Sequence, residues 1–135
     1  MINIGIIGFG TVGTGTARIL LKNRELLKQR TGIDINLRKI ADLDIRKDRG
    51  IRLLKGVLTT NAEELFNDPN IHIIVELIGG TTVAKEMILR AIRAGKHVVT
   101  ANKALLATHG IEIFKAAEKA GVEVGFEAAV AGGIP

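Results

Sequence analysis

Short apolar runs alternate with amphipathic stretches along this chain. The runs are apolar at nearly every position, which is typical of strands buried on both faces of a parallel sheet. They predict strands at 2–8, 33–42, 57–60, 71–78, 97–100 and 122–127. The amphipathic stretches predict helices at 11–30, 61–66, 82–94 and 110–120. Residues 101–108 are expected to form a connection with room for a helical turn.

The regular alternation of strand and helix determines the expected fold class. It predicts an α/β protein with a doubly wound parallel sheet of the Rossmann type, in the strand order 3-2-1-4-5-6. A chain of 135 residues is long enough for one domain with a substantial core, so we expect a single domain over 1–135.

A glycine turn joins the first predicted strand to the first predicted helix, with the spacing G-x-G-x-x-G. The turn consists of Gly8, Phe9, Gly10, Thr11, Val12 and Gly13. In such a turn the first glycine allows the tight bend, the second lets phosphates approach the backbone, and the third lets the helix pack against the strand. Because a helix N-terminus also attracts anions, the turn predicts a dinucleotide site.

The second predicted strand ends in polar residues that bear on which dinucleotide binds. Asp42 is placed to accept hydrogen bonds from ribose hydroxyls, which favours NAD. Arg46 and Lys47 follow closely and suit a 2′-phosphate, which favours NADP. The two signals conflict, so both cofactors stay open.

The carboxyl ends of two later strands complete the candidate site. Gly79 and Gly80 would let the backbone approach the nicotinamide half of a dinucleotide, or they form a simple turn. Lys103 would face the same end, where it could orient the ring, bind a carboxylate or polarise a carbonyl; the alternative is an exposed surface lysine. Glu76, in an apolar strand, is interpreted as a hydrogen-bonded buried carboxylate and not as a catalyst.

Composition excludes several other classes of function. The chain has no Cys, which removes disulfides and thiolate chemistry. Its net charge of +5 is spread, and it has four Phe but no Tyr or Trp, so nucleic-acid binding is disfavoured. The three His lack metal-ligand spacing and are interpreted as structural. No membrane span or signal peptide is predicted, so a cytoplasmic location is expected.

Four motifs occur together and resemble one family. After the glycine turn come Val75–Gly80, Val99–Leu105 and Phe126–Pro135, the last reading Phe-Glu-Ala-Ala-Val-Ala-Gly-Gly-Ile-Pro. In this order they resemble the N-terminal half of homoserine dehydrogenase, and the resemblance covers the whole chain.

The resemblance implies an activity and several residue roles. The family interconverts L-homoserine and L-aspartate 4-semialdehyde with NAD(H) or NADP(H), a step toward threonine, methionine and isoleucine. Thr11 and Val12 are then expected at the pyrophosphate, and Thr81 beside the nicotinamide ribose. Lys103 matches a lysine between nicotinamide and substrate, with a role in hydride transfer or substrate orientation.

The resemblance also implies a monovalent cation, usually sodium. Its ligands are largely main-chain carbonyls, which suit a hard cation. They fall here on Glu127, Val130, Gly132 and Ile134.

The family continues beyond the Gly-Ile-Pro motif into a part that carries substrate-binding acids, a further lysine and most of a homodimer interface. Residues 127–135 would begin the connection to that part. The isolated chain is therefore expected to bind dinucleotide but to turn over homoserine poorly or not at all. Two alternatives stay open: a non-catalytic dinucleotide-binding or sensor module, and another semialdehyde reductase.

Overall fold

A computed structural model describes residues 1–126 of the chain. Its elements are β1 (Ile2–Ile7), α1 (Thr11–Lys22), α2 (Arg24–Thr31), β2 (Ile35–Ala41), β3 (Leu58–Thr59), α3 (Glu63–Phe66), β4 (Ile73–Glu76), α4 (Thr82–Arg93), β5 (His97–Thr100), α5 (Lys103–Ala120) and β6 (Val124–Phe126). Within these residues, no helix is both long and apolar enough to cross a membrane.

The six strands form one sheet in the order β3-β2-β1-β4-β5-β6, with every pair parallel. The predicted doubly wound sheet of the Rossmann type is thus confirmed. Chain order reverses between β1 and β4, and loops at the carboxyl ends of these strands diverge there. Such a switch point forms a crevice in open α/β sheets, which is where ligands bind.

The core lies in two layers, one on each face of the sheet. Neighbouring residues of a strand enter different layers: Ile74 packs with α4 and α5, and Val75 packs on the side of α1. This division follows from the pleat, because successive side chains of a strand point to opposite faces. It explains why the strands read as continuous apolar runs.

The predicted helix over 11–30 is two helices, α1 and α2, which meet at Asn23. The backbone of Asn23 leaves the helical region (φ −105°, ψ 16°). Directly after it, the Arg24 guanidinium donates to both carboxylate oxygens of Asp34, at 2.8 and 3.0 Å. This ion pair ties the start of α2 to the segment before β2, an interaction between distant residues that helical periodicity does not encode.

The helical turn expected within 101–108 is the start of α5, which begins at Lys103 and runs unbroken through Gly110; the separate helix start predicted at residue 110 is wrong. Asn102 caps this helix: its side-chain oxygen accepts a hydrogen bond from the backbone N–H of Leu105 at 2.9 Å. An Asn cap replaces one missing helical partner and so stabilises the first turn. The strands are mostly shorter than predicted, since their apolar ends continue into loops.

Candidate functional site

The glycine turn has three glycines with three different surroundings. Gly8 has a φ of +104°, and a Cβ there would lie 2.8 Å from the backbone of Leu77. A Cβ on Gly13 would lie 2.0 Å from the carbonyl oxygen of Gly8. Packing within the chain therefore demands glycine at both positions.

Gly10 differs, because a Cβ built on it meets nothing within 4 Å and its φ of −79° suits any residue. The fold itself therefore does not require glycine here, and the free space lies at the N-terminus of α1. No side chain of residues 1–126 caps that helix. Unpaired N–H groups beside open space are what a pyrophosphate needs, so the turn fits a dinucleotide.

Beside the turn lies a cleft that we call the β2 cleft, with a volume of about 700 Å³. Its polar lining includes Arg18, Asp42, Asp44, Lys47 and Arg49, together with Gly10 and Thr11. Of the basic residues predicted here, Lys47 lines the cleft and Arg46 is not among its lining residues.

Asp42 connects the loop after β2 to the glycine turn. One of its carboxylate oxygens accepts from the backbone N–H of Phe9 at 3.0 Å, and the other accepts from the N–H of Asp44 at 3.0 Å. Asp42 therefore lies at the predicted place, and its carboxylate also shapes the turn on which phosphates would bind.

Arg49 closes the same loop, a role that the sequence analysis missed. Its Nε donates to the carbonyl oxygen of Phe9 at 2.6 Å, and its Nη2 lies 3.3 Å from a carboxylate oxygen of Asp42. The guanidinium stacks on the Phe9 ring, with 4.5 Å to the ring centroid. In the sequence Arg49 belongs to a charged cluster that is equally typical of a solvated loop. Only its tertiary contact with Phe9 shows that Arg49 has a structural role.

A smaller apolar slot of about 200 Å³ lies between the ends of β2 and β4. Ile78, Val83 and Met87 form one wall, and Leu43 and Ala62 contribute to the other. Leu43 is almost fully exposed, at 94%. An exposed leucine beside an apolar slot can cover a flat apolar group bound there.

On the far side of the glycine turn, Glu76 organises the loops after β4 and β5. Glu76 is fully buried, and its two carboxylate oxygens accept from the Thr100 hydroxyl at 2.7 Å and from the backbone N–H of Ile78 at 2.8 Å. The predicted burial and hydrogen bonding of the Glu76 carboxylate are confirmed. The sequence does not reveal that its partner is Thr100.

Thr100 and Asn102 extend this network to the surface. The Thr100 hydroxyl accepts from the backbone N–H of Asn102 at 3.0 Å, and the Asn102 side-chain amide donates to the carbonyl oxygen of Gly80. The loop after β4 is thereby connected to the loop after β5, directly before Lys103.

These loops enclose a second cleft, which we call the β5 cleft, of about 220 Å³. It is lined by Val12, Glu76, Leu77, Gly79, Ala101, Asn102 and Lys103. Gly79 and Lys103 are thus brought together with the glycine turn, as predicted. Gly80 and Thr81 lie next in the chain, with Thr81 as the N-cap of α4. No ion pair within residues 1–126 engages Lys103.

The histidines lie away from both clefts. The Nδ1 atoms of His72 and His97 accept from the backbone N–H groups of Asn3 and Glu123, at 2.9 and 3.1 Å. These bonds give both residues the structural role that the sequence analysis assigned. The carbonyl ligands predicted for sodium, at Glu127, Val130, Gly132 and Ile134, lie outside the described residues.

Known proteins are similar to this chain in sequence and in fold. A family model described as the NAD-binding domain of homoserine dehydrogenase matches residues 8–127. The chain belongs to the homoserine dehydrogenase family. A homoserine dehydrogenase of Neisseria gonorrhoeae is 48% identical over 134 residues, and that of Bacillus subtilis is 40% identical over 134 residues.

Solved structures of the family agree with the fold. A homoserine dehydrogenase from Thiobacillus denitrificans aligns with 95% of this chain at 47% identity and a TM-score of 0.85. One from S. aureus aligns with 95% at 37% identity and a TM-score of 0.86. In each case the chain covers only about a third of the relative: 31% of the N. gonorrhoeae and B. subtilis proteins, and 30% and 33% of the two structures. It corresponds to their N-terminal NAD-binding part.

Proposed function

We propose that this chain is the cofactor-binding part of an enzyme that transfers hydride reversibly between L-homoserine and L-aspartate 4-semialdehyde with NAD(P). The step belongs to threonine, methionine and isoleucine biosynthesis. The observation that carries the proposal is the open space at Gly10 in the glycine turn, which contributes Gly10 and Thr11 to the β2 cleft and Val12 to the β5 cleft. Family membership supports the reaction.

The two clefts divide the dinucleotide between them. The pyrophosphate binds the backbone of Gly10, Thr11 and Val12 at the start of α1. The adenosine ribose lies in the β2 cleft, where Asp42 accepts from its hydroxyls and Lys47 attracts a 2′-phosphate. Since both residues line one cleft, the chain is proposed to accept both NAD and NADP. The apolar slot takes the adenine ring.

The nicotinamide half then occupies the β5 cleft, near Gly79, Gly80 and Thr81. When bound, the nicotinamide accepts or supplies the hydride. Lys103 is the proposed catalytic residue of this chain: its ammonium orients the substrate and stabilises the negative charge that develops on the substrate oxygen. The network from Glu76 to Asn102 holds the start of α5 in place.

The remaining expectations concern the whole enzyme. Residues 127–135 are proposed to begin the connection to a catalytic part, with sodium held by carbonyls of Glu127, Val130, Gly132 and Ile134. A cytoplasmic homodimer acting on the small molecules homoserine and aspartate semialdehyde is proposed, with neither nucleic acid nor membrane as partner. The resemblance to the family supports these points.

Calorimetric titration with NADH and NADPH tests cofactor binding. Gly10→Ala is expected to weaken binding about 10- to 100-fold, because its Cβ fills the space for phosphate. The stability of the Gly10→Ala variant should not change, since the added Cβ meets nothing within 4 Å in the chain. The matched control is Gly110→Ala in α5, where the Cβ makes an ordinary 3.9 Å contact with Phe114 and affinity should stay as it was. Failure of the unmutated chain to bind either dinucleotide would contradict the proposal.

Hydride transfer is tested in a chimera in which this chain replaces the matched 134 residues of the N. gonorrhoeae homoserine dehydrogenase. Lys103→Ala should lower kcat about 100-fold and leave dinucleotide affinity unchanged. Lys115→Ala, on the same helix but away from the β5 cleft, is the control. If the folded chimera binds dinucleotide without oxidising homoserine, the non-catalytic alternative is favoured; full activity of Lys103→Ala would refute the role of that lysine.

A further inference from the structure

Glu76 is a buried carboxylate that has no cationic partner within residues 1–126. Its side chain is 0% exposed, and none of the ion pairs in this part of the chain includes it. A glutamate is almost never fully buried without a charged partner, because hydrogen bonds satisfy its oxygens but leave its net charge in place. The missing partner of Glu76 therefore calls for an explanation.

The hydrogen bonds around Glu76 favour its ionised form. One carboxylate oxygen accepts from the Thr100 hydroxyl and the other accepts from the backbone N–H of Ile78. The Thr100 hydroxyl is oriented for this, because it accepts from the backbone N–H of Asn102. Donors directed at both oxygens of a carboxylate stabilise its charged form. Glu76 thus places a negative charge at the carboxyl end of β4.

This charge lies beside the β5 cleft, since Glu76 is one of the residues that border it. Lys103 is the other charged residue of the cleft, and it is exposed. Water screens the ammonium of an exposed lysine, whereas a buried carboxylate acts across protein of low polarity. The remaining lining residues carry no charge: Val12, Leu77, Gly79, Ala101 and Asn102. The strongest electrostatic influence on a group bound in this cleft therefore comes from Glu76.

We propose that Glu76 is the counter-charge of the nicotinamide ring and sets the relative affinity of the chain for oxidised and reduced cofactor. The ring is a cation in NAD⁺ and is neutral in NADH, and the two forms share all groups outside the ring. A fixed negative charge beside the ring strengthens the binding of NAD⁺ more than that of NADH. The inference rests on the proposed function, because it requires the ring to occupy the β5 cleft.

This role affects the direction of hydride transfer. Reduction of the aldehyde moves one hydride from the ring to the aldehyde carbon, and the oxygen takes a proton from water. Glu76 stabilises the positive charge that the ring gains, while Lys103 stabilises the negative charge that develops on the oxygen. The two side chains thus favour reduction from opposite ends of the transfer. Glu76 acts through space and touches no reacting atom, so it is not a catalytic residue.

Calorimetric titration of the chain with NAD⁺ and with NADH tests the proposal through the ratio of the two dissociation constants. Glu76→Gln removes the charge and keeps the shape of the side chain. We expect this variant to shift the ratio about 10-fold in favour of NADH, as the loss of one partly screened charge near the ring predicts. An unchanged ratio in a folded Glu76→Gln variant that binds both forms would overturn the proposal.

Three control variants separate the charge of Glu76 from its structural role. Thr100→Val breaks the same hydrogen bond and leaves the carboxylate in place, and Glu76→Asp keeps the charge on a shorter side chain. Glu64→Gln removes an exposed carboxylate that also accepts from a threonine at the end of a strand. All three should keep the ratio of the unmutated chain. A shift for Thr100→Val as large as that for Glu76→Gln would show that the network sets the ratio, and would overturn the proposal.

If Glu76→Gln does not fold, the unmutated chain decides. The apolar side chains in the lining of the β5 cleft by themselves favour the neutral ring, because they cannot replace the hydration that a cation loses. NAD⁺ bound at least as tightly as NADH would therefore support a negative counter-charge, and tighter binding of NADH would overturn it. Failure to bind either form would overturn the proposed function together with this inference, whereas a wrong ratio would overturn this inference alone.

Discussion

The two halves of the sheet each have a copy of the same arrangement at their carboxyl ends, in which a threonine hydroxyl bonds an asparagine backbone and a glutamate side chain. In one half Thr59 ends β3 and its hydroxyl accepts from the backbone N–H of Asn61 at 3.1 Å; in the other Thr100 ends β5 and accepts from Asn102 at 3.0 Å. Each threonine also donates to a glutamate, Glu64 at 2.6 Å or Glu76 at 2.7 Å.

The two copies differ in where the glutamate comes from. Glu64 belongs to the following helix α3, and its side chain is 46% exposed, with Lys39 at 3.4 Å. Glu76 belongs to the neighbouring strand β4 and is fully buried. Water can replace the partners of Glu64, whereas the partners of Glu76 have no substitute if it is lost. The same threonine–glutamate hydrogen bond therefore contributes little to stability at the surface and much in the core.

The two threonine–glutamate arrangements also position different parts of the structure. The exposed copy leads into a four-residue helix on the β3 side. The buried copy leads into the cap of α5 and so holds Lys103 in the β5 cleft. The reactive end of the proposed site is thus supported by the copy that water does not reach.

The largest expected effect comes from removing the buried glutamate. Glu76→Ala leaves the Thr100 hydroxyl and the N–H of Ile78 without this acceptor and opens a cavity, so we expect a loss of about 3 kcal/mol in the free energy of unfolding. Glu64→Ala is the matched change in the exposed copy and should shift the denaturant midpoint far less.

Glu76→Gln keeps the shape of the side chain and at least one hydrogen-bond acceptor. Its loss in the free energy of unfolding should therefore lie between the losses of the two alanine variants. Equal midpoints for Glu76→Ala and Glu64→Ala would show that burial does not separate the two copies.

The smallest expected effect is on the pH dependence of the exposed copy. The hydrogen bond from Thr59 and the nearby Lys39 ammonium hold the pKa of the Glu64 carboxyl below its ordinary range. A carboxyl whose pKa is lower in the folded state stabilises the fold above its ordinary pKa of about 4.3, and this stabilisation is lost as the pH falls through the folded-state pKa.

Denaturant midpoints measured from about pH 7 down to pH 3, across the ordinary pKa of Glu, test this. The curves of the unmutated chain and of Glu64→Gln should differ near neutral pH and converge under acid. A gap that stayed constant with pH would contradict the direction of the pKa shift.

Parts of the fold follow from local pattern alone. The positions of all six strands in the chain were predictable, since each is an apolar run. The break at Asn23 was not, because it depends on the Arg24–Asp34 pair. The early start of α5 has a local signal, the cap by Asn102, which the apolar pattern does not include. Gly110 suggested a helix boundary, yet in the structure it is a buried position inside α5.

The candidate site likewise has features that the sequence predicted and features that only the structure revealed. The sequence by itself determined the glycine turn, because its six residues are contiguous and their spacing can be read directly from the chain. The reason for glycine at Gly8 came from the structure, since a Cβ there would meet the backbone of Leu77. The sequence also determined the family, through motifs that keep their order along the chain. Their roles in binding and hydride transfer stay predictions.

Only the tertiary structure decided what holds that site in shape. The contacts of Arg49 with Phe9 and of Glu76 with Thr100 join residues that lie far apart in the chain. Composition and spacing do not predict such contacts. The energy of each contact depends on burial and distance, which are set only when the sheet brings its strands together.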